Sequence, residues 1–238
     1  MLTVTPKLPR ENNKDYSYRI IKNGIMSLEL YPGQAISEIE LAESLQISRT
    51  PIREVMAKLK EENLVEVIPQ VGTYVSKIKL QLIEEAAFMR YTLEKEILKL
   101  SCESFSEDGL YELKRNVRKQ EELLGKKGLE RSFHQLDTNF HAIIFHENRK
   151  EHVWAAIIRL STHYNRIRLL SEMEHSFDEA ILQHKNILNI IENKEVDRVE
   201  EVISQHIIQP KKNWEDLFET ESPYLHYFDQ AHSKTVSN

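Results

Sequence analysis

Apolar residues in the first 45 positions recur at intervals that predict two short helices. Over residues 15–30 they repeat every three or four positions, and Tyr31-Pro32-Gly33 then ends the first helix. Ser37 and Glu40 have the spacing of a capping box, in which each side chain satisfies a free backbone N–H at the start of a helix. A second helix is therefore expected to run as far as Leu45.

A third helix and a hairpin follow after a tight turn. Ser48 is placed to cap the helix, Pro51 falls in the first turn, where no N–H is needed, and the helical pattern continues to about Asn63. One stripe of this helix is apolar and consists of Ile52, Val55, Met56 and Leu59. β-rich runs at residues 64–68 and 73–75 flank a glycine-containing loop, which predicts the hairpin. This order of elements is typical of a winged helix-turn-helix.

From about Leu80 the pattern is helical nearly to the end, and no β-rich run there is long enough to make a sheet. Helices are expected at residues 80–104, 107–125, 129–146, 150–171, 177–192 and 195–219. The predicted fold class is therefore mainly α, with an N-terminal winged helix-turn-helix over residues 1–78 and an all-α helical bundle over residues 79–220. Residues 221–238 form a polar tail with several aromatic residues, which either is disordered or docks onto a partner subunit.

The composition agrees with a helical protein of the cytoplasm. Only 6 of the 238 residues are glycine and 7 are proline, which favours long helices over a turn-rich β fold. Cys102 is the only cysteine, so an intramolecular disulfide and a cysteine-based metal site are excluded. The N-terminus lacks the apolar core of a signal peptide, and no apolar stretch approaches the length of about 18 residues that spans a membrane.

The charge distribution limits how the protein could bind nucleic acid. The formal net charge is −6, but residues 1–78 contain ten Lys and Arg against ten Asp and Glu, so the excess of acid lies in the remainder of the chain. A neutral N-terminal part gives no bulk positive field. Contacts with DNA must then come from locally placed charges and from the doubling of sites in a dimer.

Polar residues at the start of the third helix are candidates for reading DNA. Arg49 and Arg53 lie off the apolar stripe, and the fork of an arginine matches the O6 and N7 acceptors of guanine. Gly72 permits close approach to a DNA backbone, and Thr73 beside it can donate to a phosphate. The alternative is that the two arginines only form an exposed helix face. The full candidate set is Ser48, Arg49, Thr50, Arg53, Gly72 and Thr73.

These residues lie within a recognisable pattern. The runs YPGQAISE at residues 31–38 and ISRTPIRE at residues 47–54, with Leu41-Ala42 between them, resemble the GntR family of bacterial transcription regulators. The run Ser-Arg-Thr-Pro-Ile-Arg-Glu is highly specific for that family, and the resemblance covers about residues 15–76. It implies that Arg49, Thr50 and Arg53 read the operator and that the loop around Gly72 is the wing.

Residues 79–219 resemble the FCD domain, the helical C-terminal domain of the FadR-type branch of that family, in its metal-binding form. The resemblance rests on Asp137, His141, His184 and His206, and it implies a metal held by one carboxylate and three imidazoles. Such a set suits zinc, with nickel or manganese as alternatives, and leaves positions open for water or a ligand oxygen. Spacing places Asp137 and His141 on one helical face but does not select the other two from ten histidines, which could equally be solvated surface residues.

Other polar residues are candidates for a place near this site. Arg90 begins an Arg-x-x-Leu-Glu pattern found on the first helix of such domains, and we expect it to clamp a carboxylate of an effector, although a salt bridge to Glu94 is an equal alternative. His134 lies on nearly the same stripe as Asp137 and His141, as a neighbour or as a partner that orients a ligand. Three arginines of one predicted helix either line the same cavity or lie on the surface: Arg159, Arg166 and Arg168.

Together these features predict a DNA-binding transcription regulator that is not an enzyme. The hypothesis is a repressor that binds a two-fold symmetric double-stranded operator as a homodimer, modulated by a small carboxylate effector beside a divalent metal. One alternative is a metal-dependent hydrolase or lyase built on the C-terminal helical domain, although no histidine and glutamate have the His-Glu-x-x-His spacing. Another is an architectural DNA-binding protein with a structural metal or none.

Overall fold

The computed structural model describes residues 2–229. The chain forms two compact units, of which the first contains residues 2–81 together with 220–229 and the second contains residues 82–219. The first unit is a winged helix-turn-helix with α1 at Asn13–Met26, β1 at Ala35–Ile36, α2 at Glu38–Leu45, α3 at Arg49–Glu61, β2 at Val65–Ile68 and β3 at Gly72–Val75. This order confirms the predicted helices and hairpin. The sequence pattern missed β1, because two residues are too few to show an alternation.

The core of the first unit forms between α1 and α3. Ile21 and Ile25 of α1 pack with the predicted stripe of α3, whose residues Ile52, Val55 and Leu59 are fully buried. Because this stripe faces inward, the opposite side of α3 is left exposed to solvent. The packing of the third helix is therefore as the sequence predicted.

The three strands form an antiparallel sheet in the order β1-β3-β2. Thr73 of β3 pairs with Ile36 on one side and with Val67 on the other. The hydroxyl of Ser37 caps α2 by accepting from the backbone N–H of Glu40 (3.3 Å), as expected. β3 thus pairs with β1 on one side and with β2 on the other.

The second unit consists of helices. They are α4 at Leu80–Glu103, α5 at Glu107–Glu121, α6 at Glu130–Glu147, α7 at Glu151–Leu160, α8 at Thr162–Glu174, α9 at Asp178–Glu192 and α10 at Val199–Ile207, with 3-10 turns at Val196–Arg198 and Gln209–Phe218. The mainly α fold class is confirmed. No helix within residues 2–229 has the length and apolar character to cross a bilayer.

Two predicted helix boundaries in this unit are wrong. The single helix expected at 150–171 is two helices, because the backbone of Ser161 turns out of helical geometry (ψ 24°) where its N–H bonds to the carbonyl of Ile157. The helix expected at 195–219 ends at Ile207 and gives way to the 3-10 helix, where Pro210 has no N–H to continue the α-helical ladder. Ser161 is buried at the first break, whereas Ile208 is exposed at the second.

The first part of the predicted tail packs against the winged helix. The N–H of Ile78 donates to the carbonyl of Tyr227 (2.8 Å), and the N–H of Asp229 donates to the carbonyl of Ile78 (3.0 Å), which makes a short parallel pairing. Phe228 is only 3% exposed. Residues 230–238 of the predicted tail lie outside the described residues.

Candidate metal centre and DNA-reading surface

Four side chains of the second unit meet in its interior. Asp137 and His141 come from α6, His184 from α9 and His206 from α10, and all four are buried. One potential ligand atom from each lies within 4.8 Å of the other three. The Nε2 atoms of His141 and His206 are 3.0 Å apart, and the Nε2 of His184 is 3.1 Å from Oδ1 of Asp137. The structure thus brings together the four residues that the sequence singled out.

A chain of hydrogen bonds fixes the protonation of His184. The backbone carbonyl of Leu136 can only accept, so Asn116 donates its Nδ2–H to it (3.0 Å) and presents Oδ1. Gln120 donates Nε2–H to that Oδ1 (2.7 Å) and presents Oε1, which accepts from Nδ1–H of His184 (2.7 Å). His184 therefore carries its proton on Nδ1, and its Nε2 holds a lone pair.

The other two imidazoles are oriented in the same way. Gln183 donates to the carboxylate of Glu179 (3.3 Å), so its Oε1 accepts from Nδ1–H of His206 (3.1 Å). His141 donates Nδ1–H to Oε2 of Glu94 (2.7 Å). All three rings therefore direct an unprotonated Nε2 toward the cluster, which is the arrangement in which histidine binds a metal.

Three lone pairs directed at one point require a cation between them. With these tautomers the lone pair of Nε2 of His184 faces Oδ1 of Asp137 at 3.1 Å, and the lone pairs of Nε2 of His141 and His206 face each other at 3.0 Å, so both pairs of atoms repel unless a positive charge lies between them. Zn–N bonds are about 2.0–2.1 Å long, so two nitrogens at this separation can bind one ion. The residues present fit a divalent first-row metal.

The charges around the cluster keep the ligands in the required ionisation state. Burial alone would raise the pKa of Asp137, but Arg168, which binds both its carboxylate oxygens (2.6 and 2.9 Å), holds that pKa well below its usual value. Glu94 is buried too, yet Arg90 and His141 lower its pKa to about 2. Burial lowers the pKa of His184. Ionised carboxylates and neutral imidazoles are the forms that bind metals.

Arg90 forms the ion pair that was one of the two alternatives considered for it. Its Nε donates to Oε1 of Glu94 (2.6 Å), so the predicted alternative, an ion pair one turn along α4, is present. The guanidinium is 2% exposed and lies over the rings of Tyr164 (5.0 Å) and Trp154 (5.8 Å). Its Nη2 has no hydrogen-bond partner among the described residues. One buried donor of Arg90 is therefore available to an acceptor that residues 2–229 do not supply.

A cavity of about 80 Å³ reaches the cluster from another side. Its lining includes Arg168, Gln183 and His206, together with Pro210 and Trp214 of the 3-10 helix that follows α10. Arg90 is not part of this lining. The cavity thus gives access to the His206 side of the cluster.

The remaining sequence candidates lie at different distances from the cluster. Nδ1 of His134 donates to Oε2 of Glu172 (2.9 Å), which also pairs with Arg168 (3.4 Å), so His134 is linked to Asp137 through two side chains. Arg166 and Arg168 are both on α8. Arg159 lies on α7 and is exposed, so these arginines do not share one helix as expected.

The candidate DNA-reading residues form an exposed surface. Arg49, Thr50 and Arg53 all point away from the core at the start of α3, and Nε of Arg53 pairs with Oε2 of Glu38 (3.0 Å). Ser48 occupies the N-cap position of α3, but its side chain forms no capping hydrogen bond within the described chain. Gly72 and Thr73 begin β3 at the tip of the hairpin.

Comparison with known proteins decides the family. The sequence profile of the bacterial regulatory proteins of the gntR family matches residues 16–75, and the sequence profile of the FCD domain matches residues 85–209. The chain belongs to the GntR family. It is a DNA-binding transcription regulator with a winged helix-turn-helix and an FCD domain, as the sequence pattern predicted.

Relatives of this GntR-family chain match over most of their length. It is 30% identical to the HTH-type transcriptional repressor RspR of Escherichia coli over 87% of this chain and 91% of that protein. It is 22% identical to the uncharacterised HTH-type transcriptional regulator YdhC of Bacillus subtilis over 80% of this chain and 84% of that protein. Escherichia coli McbR/YncC has the same fold, with a TM-score of 0.75 at 19% identity over 88% of this chain and 100% of that chain. A putative transcriptional regulator GntR from Rhodococcus sp. RHA1 also has this fold. Its TM-score is 0.69 at 15% identity, over 85% of this chain and 96% of that chain.

The geometry adds side chains to the site that sequence patterns did not identify. Gln120 and Gln183 orient two of the imidazoles. Arg168, which the sequence offered only as a possible lining residue of the cavity, binds Asp137. Gln183 directly precedes His184, but that adjacency does not predict its bond to His206, and Gln120 lies 64 positions before its partner. The packing of α5 against α6 and α9 brings these residues together.

Proposed function

We propose that this GntR-family regulator is a cytoplasmic homodimer that represses transcription and whose operator binding is modulated by a small carboxylate held beside a divalent metal. The metal ligands are Asp137, His141, His184 and His206, and zinc suits them best. The observation that carries this proposal is the common direction of three unprotonated Nε2 atoms. A purely structural cluster of histidines would not require that all three rings carry the proton on Nδ1 and leave Nε2 unprotonated.

The charge around the site favours an anionic effector. Asp137 is balanced by Arg168, and Glu94 is balanced by Arg90, so the buried charges closest to the imidazoles cancel before a metal binds. A divalent ion adds two positive charges that these residues do not neutralise. A carboxylate oxygen on the open side of the ion would reduce that excess in a region of low dielectric constant.

Arg90 supplies a second contact for such an effector. A buried guanidinium nitrogen without an acceptor costs about 1–3 kcal/mol or more, because it has lost its water without gaining a partner. The unpartnered Nη2 of Arg90 is such a nitrogen. A ligand carboxylate that accepted from it would relieve this cost, and this supports the assignment of Arg90 as an effector-binding residue.

The same ion pairs argue for a binding role and against catalysis. A metal-dependent hydrolase or lyase needs a group that takes or gives a proton. Both buried carboxylates near the cluster are already engaged by an arginine, Asp137 by Arg168 and Glu94 by Arg90. We therefore propose no catalytic residue for this chain.

The exposed start of α3 is proposed to read the operator. Arg49 and Arg53 would contact guanine edges in the major groove, and Ser48 and Thr50 would contact phosphates. Gly72 and Thr73 at the hairpin tip would contact the adjoining backbone. Two copies of the chain would place two such helices on a two-fold symmetric site, with the half-site spacing set by the dimer.

Binding of effector and operator must be reciprocal if they are coupled. If the effector weakens operator binding by some factor, the operator weakens effector binding by the same factor. Fluorescence anisotropy of a labelled operator, measured with and without effector, tests this relation. An operator affinity that ignores every combination of metal and carboxylate that saturates the second unit would refute the regulatory switch.

The metal and the effector can be tested separately. We expect purified protein to contain about one metal ion per chain by mass spectrometry, and His184→Ala to lose it. His146→Ala is a matched control, because His146 is an exposed histidine of the same fold unit that pairs with Glu151. A thermal-shift screen of di- and tricarboxylic acids against zinc-loaded protein then identifies the effector. Full metal content in the His184 variant would overturn the assigned ligands.

Weaker carboxylate binding by Arg90→Lys, at unchanged metal content, would support the role of Arg90. Equal affinity in that variant and the wild type would remove Arg90 from the effector site while leaving the metal site intact.

A further inference from the structure

The junction between α7 and α8 places a helix N-terminus inside the second unit. Ser161 is the N-cap residue of α8, and every residue from 161 to 166 is buried. The first bond within α8 is donated by the N–H of Asn165 to the carbonyl of Ser161 (2.8 Å). The N–H groups before it have no partner within the helix, and the helix dipole makes this end positive. The positive end of α8 is therefore buried, and its first turn contains no acidic residue that would offset it.

The hydroxyl of Ser161 lies at this helix end without a partner. A serine at the N-cap position usually accepts from an N–H of the first helical turn, but Ser161 forms no such bond. Ser161 is 1% exposed, and its Oγ forms no hydrogen bond with any of residues 2–229. A buried hydroxyl without a partner is costly, so this one is a candidate for binding an acceptor from outside the chain.

Arg90 lies against both helices that meet at Ser161. Its guanidinium carbon is 5.8 Å from the ring centre of Trp154 on α7 and 5.0 Å from that of Tyr164 on α8. Trp154 precedes Ser161 by seven residues, which is two turns along one helical face, and Tyr164 follows it by three. The unpartnered Nη2 of Arg90 is thus a second buried donor, from another helix, on the same side of the junction.

These side chains also border the metal cluster. Nε of Arg90 bonds to Oε1 of Glu94, and Oε2 of Glu94 accepts from Nδ1–H of His141 (2.7 Å). The rings of Trp154 and His141 are stacked, with centroids 5.7 Å apart and planes 22° from parallel. Neither Arg90 nor Trp154 lines the cavity described above. The two unpartnered donors therefore lie on the side of the cluster that His141 occupies.

The groups at the junction are suited to an anion. A guanidinium nitrogen and the N–H groups of a helix end can only donate, and a serine hydroxyl can donate as well. Buried donors at a positive helix end bind anions, and a carboxylate offers two oxygens to two different donors.

We propose that Ser161, Arg90 and the N-terminus of α8 form a carboxylate subsite, and that the effector is a small dicarboxylic acid with its other carboxylate on the metal. This inference rests on the proposed metal and effector site, and it names the class of the effector. The ion pairs Asp137–Arg168 and Glu94–Arg90 are each neutral, so a divalent ion adds two positive charges to them. Two carboxylates match these charges, whereas one would leave half of them uncompensated in a region of low dielectric constant.

Isothermal titration calorimetry of the zinc-loaded full-length chain tests the subsite. The probes are malonate, succinate and glutarate, each compared with the monocarboxylate of the same carbon number, namely propionate, butyrate and valerate. We expect one of the dicarboxylates to bind at least ~10-fold more tightly than its counterpart, because only the dicarboxylate occupies both positions. Ser161→Ala should weaken binding of that dicarboxylate at least ~10-fold while changing the affinity for its monocarboxylate less than ~2-fold.

A purely structural role of Ser161 would give a different result. Removal of a buried hydroxyl that has no partner should not destabilise the ligand-free protein, so Ser161→Ala should unfold at or above the wild-type temperature, with unchanged zinc content. Ser104→Ala, at an exposed serine of the same unit, is a matched control with no expected effect. Lower stability together with equal weakening for both kinds of acid would mean that Ser161 only supports the fold, and would overturn the subsite.

The possible failures can be told apart. Equal affinities of the wild type for dicarboxylates and monocarboxylates overturn the subsite but leave the metal and a carboxylate effector in place. A preference for dicarboxylates that persists in Ser161→Ala also overturns it. Failure of the zinc-loaded chain to bind any of the six acids refutes the proposed effector, and absence of bound zinc refutes the metal site; the subsite falls with either.

Discussion

Replacing Arg168 by methionine tests the charge balance of the proposed metal centre. Arg168 binds both oxygens of Asp137, whose side chain is 1% exposed. Methionine has a similar length and keeps the apolar contact with the ring of Tyr164, so the main change is the loss of the positive charge.

The size of the effect follows from the burial of Asp137. Removing one partner of a buried ion pair costs about 3–5 kcal/mol, because the remaining charge is left without compensation. In a chain of this length, 1 kcal/mol shifts Tm by about 2–4 °C, so metal-free Arg168→Met should unfold roughly 6–20 °C below the metal-free wild type. A metal bound to Asp137 would supply the missing positive charge, and the loss in zinc-loaded protein should be less than half as large.

Differential scanning calorimetry is the appropriate assay, because a chain of two units need not unfold in one step. The transition of the second unit should move, and that of the winged helix should not. Arg159→Met is a matched control, since Arg159 is an exposed arginine of the same unit. The reasoning is refuted if metal-free Arg168→Met is as stable as the control, or if zinc leaves the difference unchanged.

Three further predictions concern single side chains. Gln120→Leu removes the oxygen that accepts from Nδ1–H of His184. Zinc affinity, measured by competition with a chelating dye, should therefore fall about 10–100-fold. Unchanged affinity would mean that the tautomer of His184 does not depend on Gln120. Arg53→Lys keeps the charge but loses the fork, so discrimination at one guanine of the operator should fall by about 1–3 kcal/mol, and binding competition against substituted operators would detect it. Thr73→Val should instead weaken binding equally across DNA sequences, because a phosphate contact carries no sequence information; a base-dependent loss would contradict that role.

Local features of the sequence predicted the parts of the fold that lie within one element. The buried stripe of α3 is set by the helical period, and Ile52 and Leu59 occupy the positions that the pattern assigns them. Asp137 and His141 share a face of α6 for the same reason. Periodicity within a helix requires no knowledge of what the helix packs against, which is why these predictions succeed.

Contacts between distant segments could not be predicted in this way. The bond from His184 to Gln120 joins α9 to α5, and the pairing of Ile78 with Phe228 joins residues 150 positions apart in the sequence. Neither has a spacing or a motif, because each depends on how helices and segments pack. The break at Ser161 was missed for a related reason, since serine is compatible with a helix interior and only the tertiary structure shows that α7 and α8 are separate.

The N-terminal unit has even less free positive charge than its composition indicates. Lys14, Lys22 and Arg53 each form an ion pair with a glutamate of the same unit. Arg49 is exposed at the start of α3 and has no ion-pair partner among the described residues, so its charge is available to DNA. Each neutralised phosphate adds about 0.9 to the salt dependence of log K, and one copy of this surface offers few of them. In the proposed homodimer, two copies acting together would supply the affinity for an operator that the few cations of one copy do not.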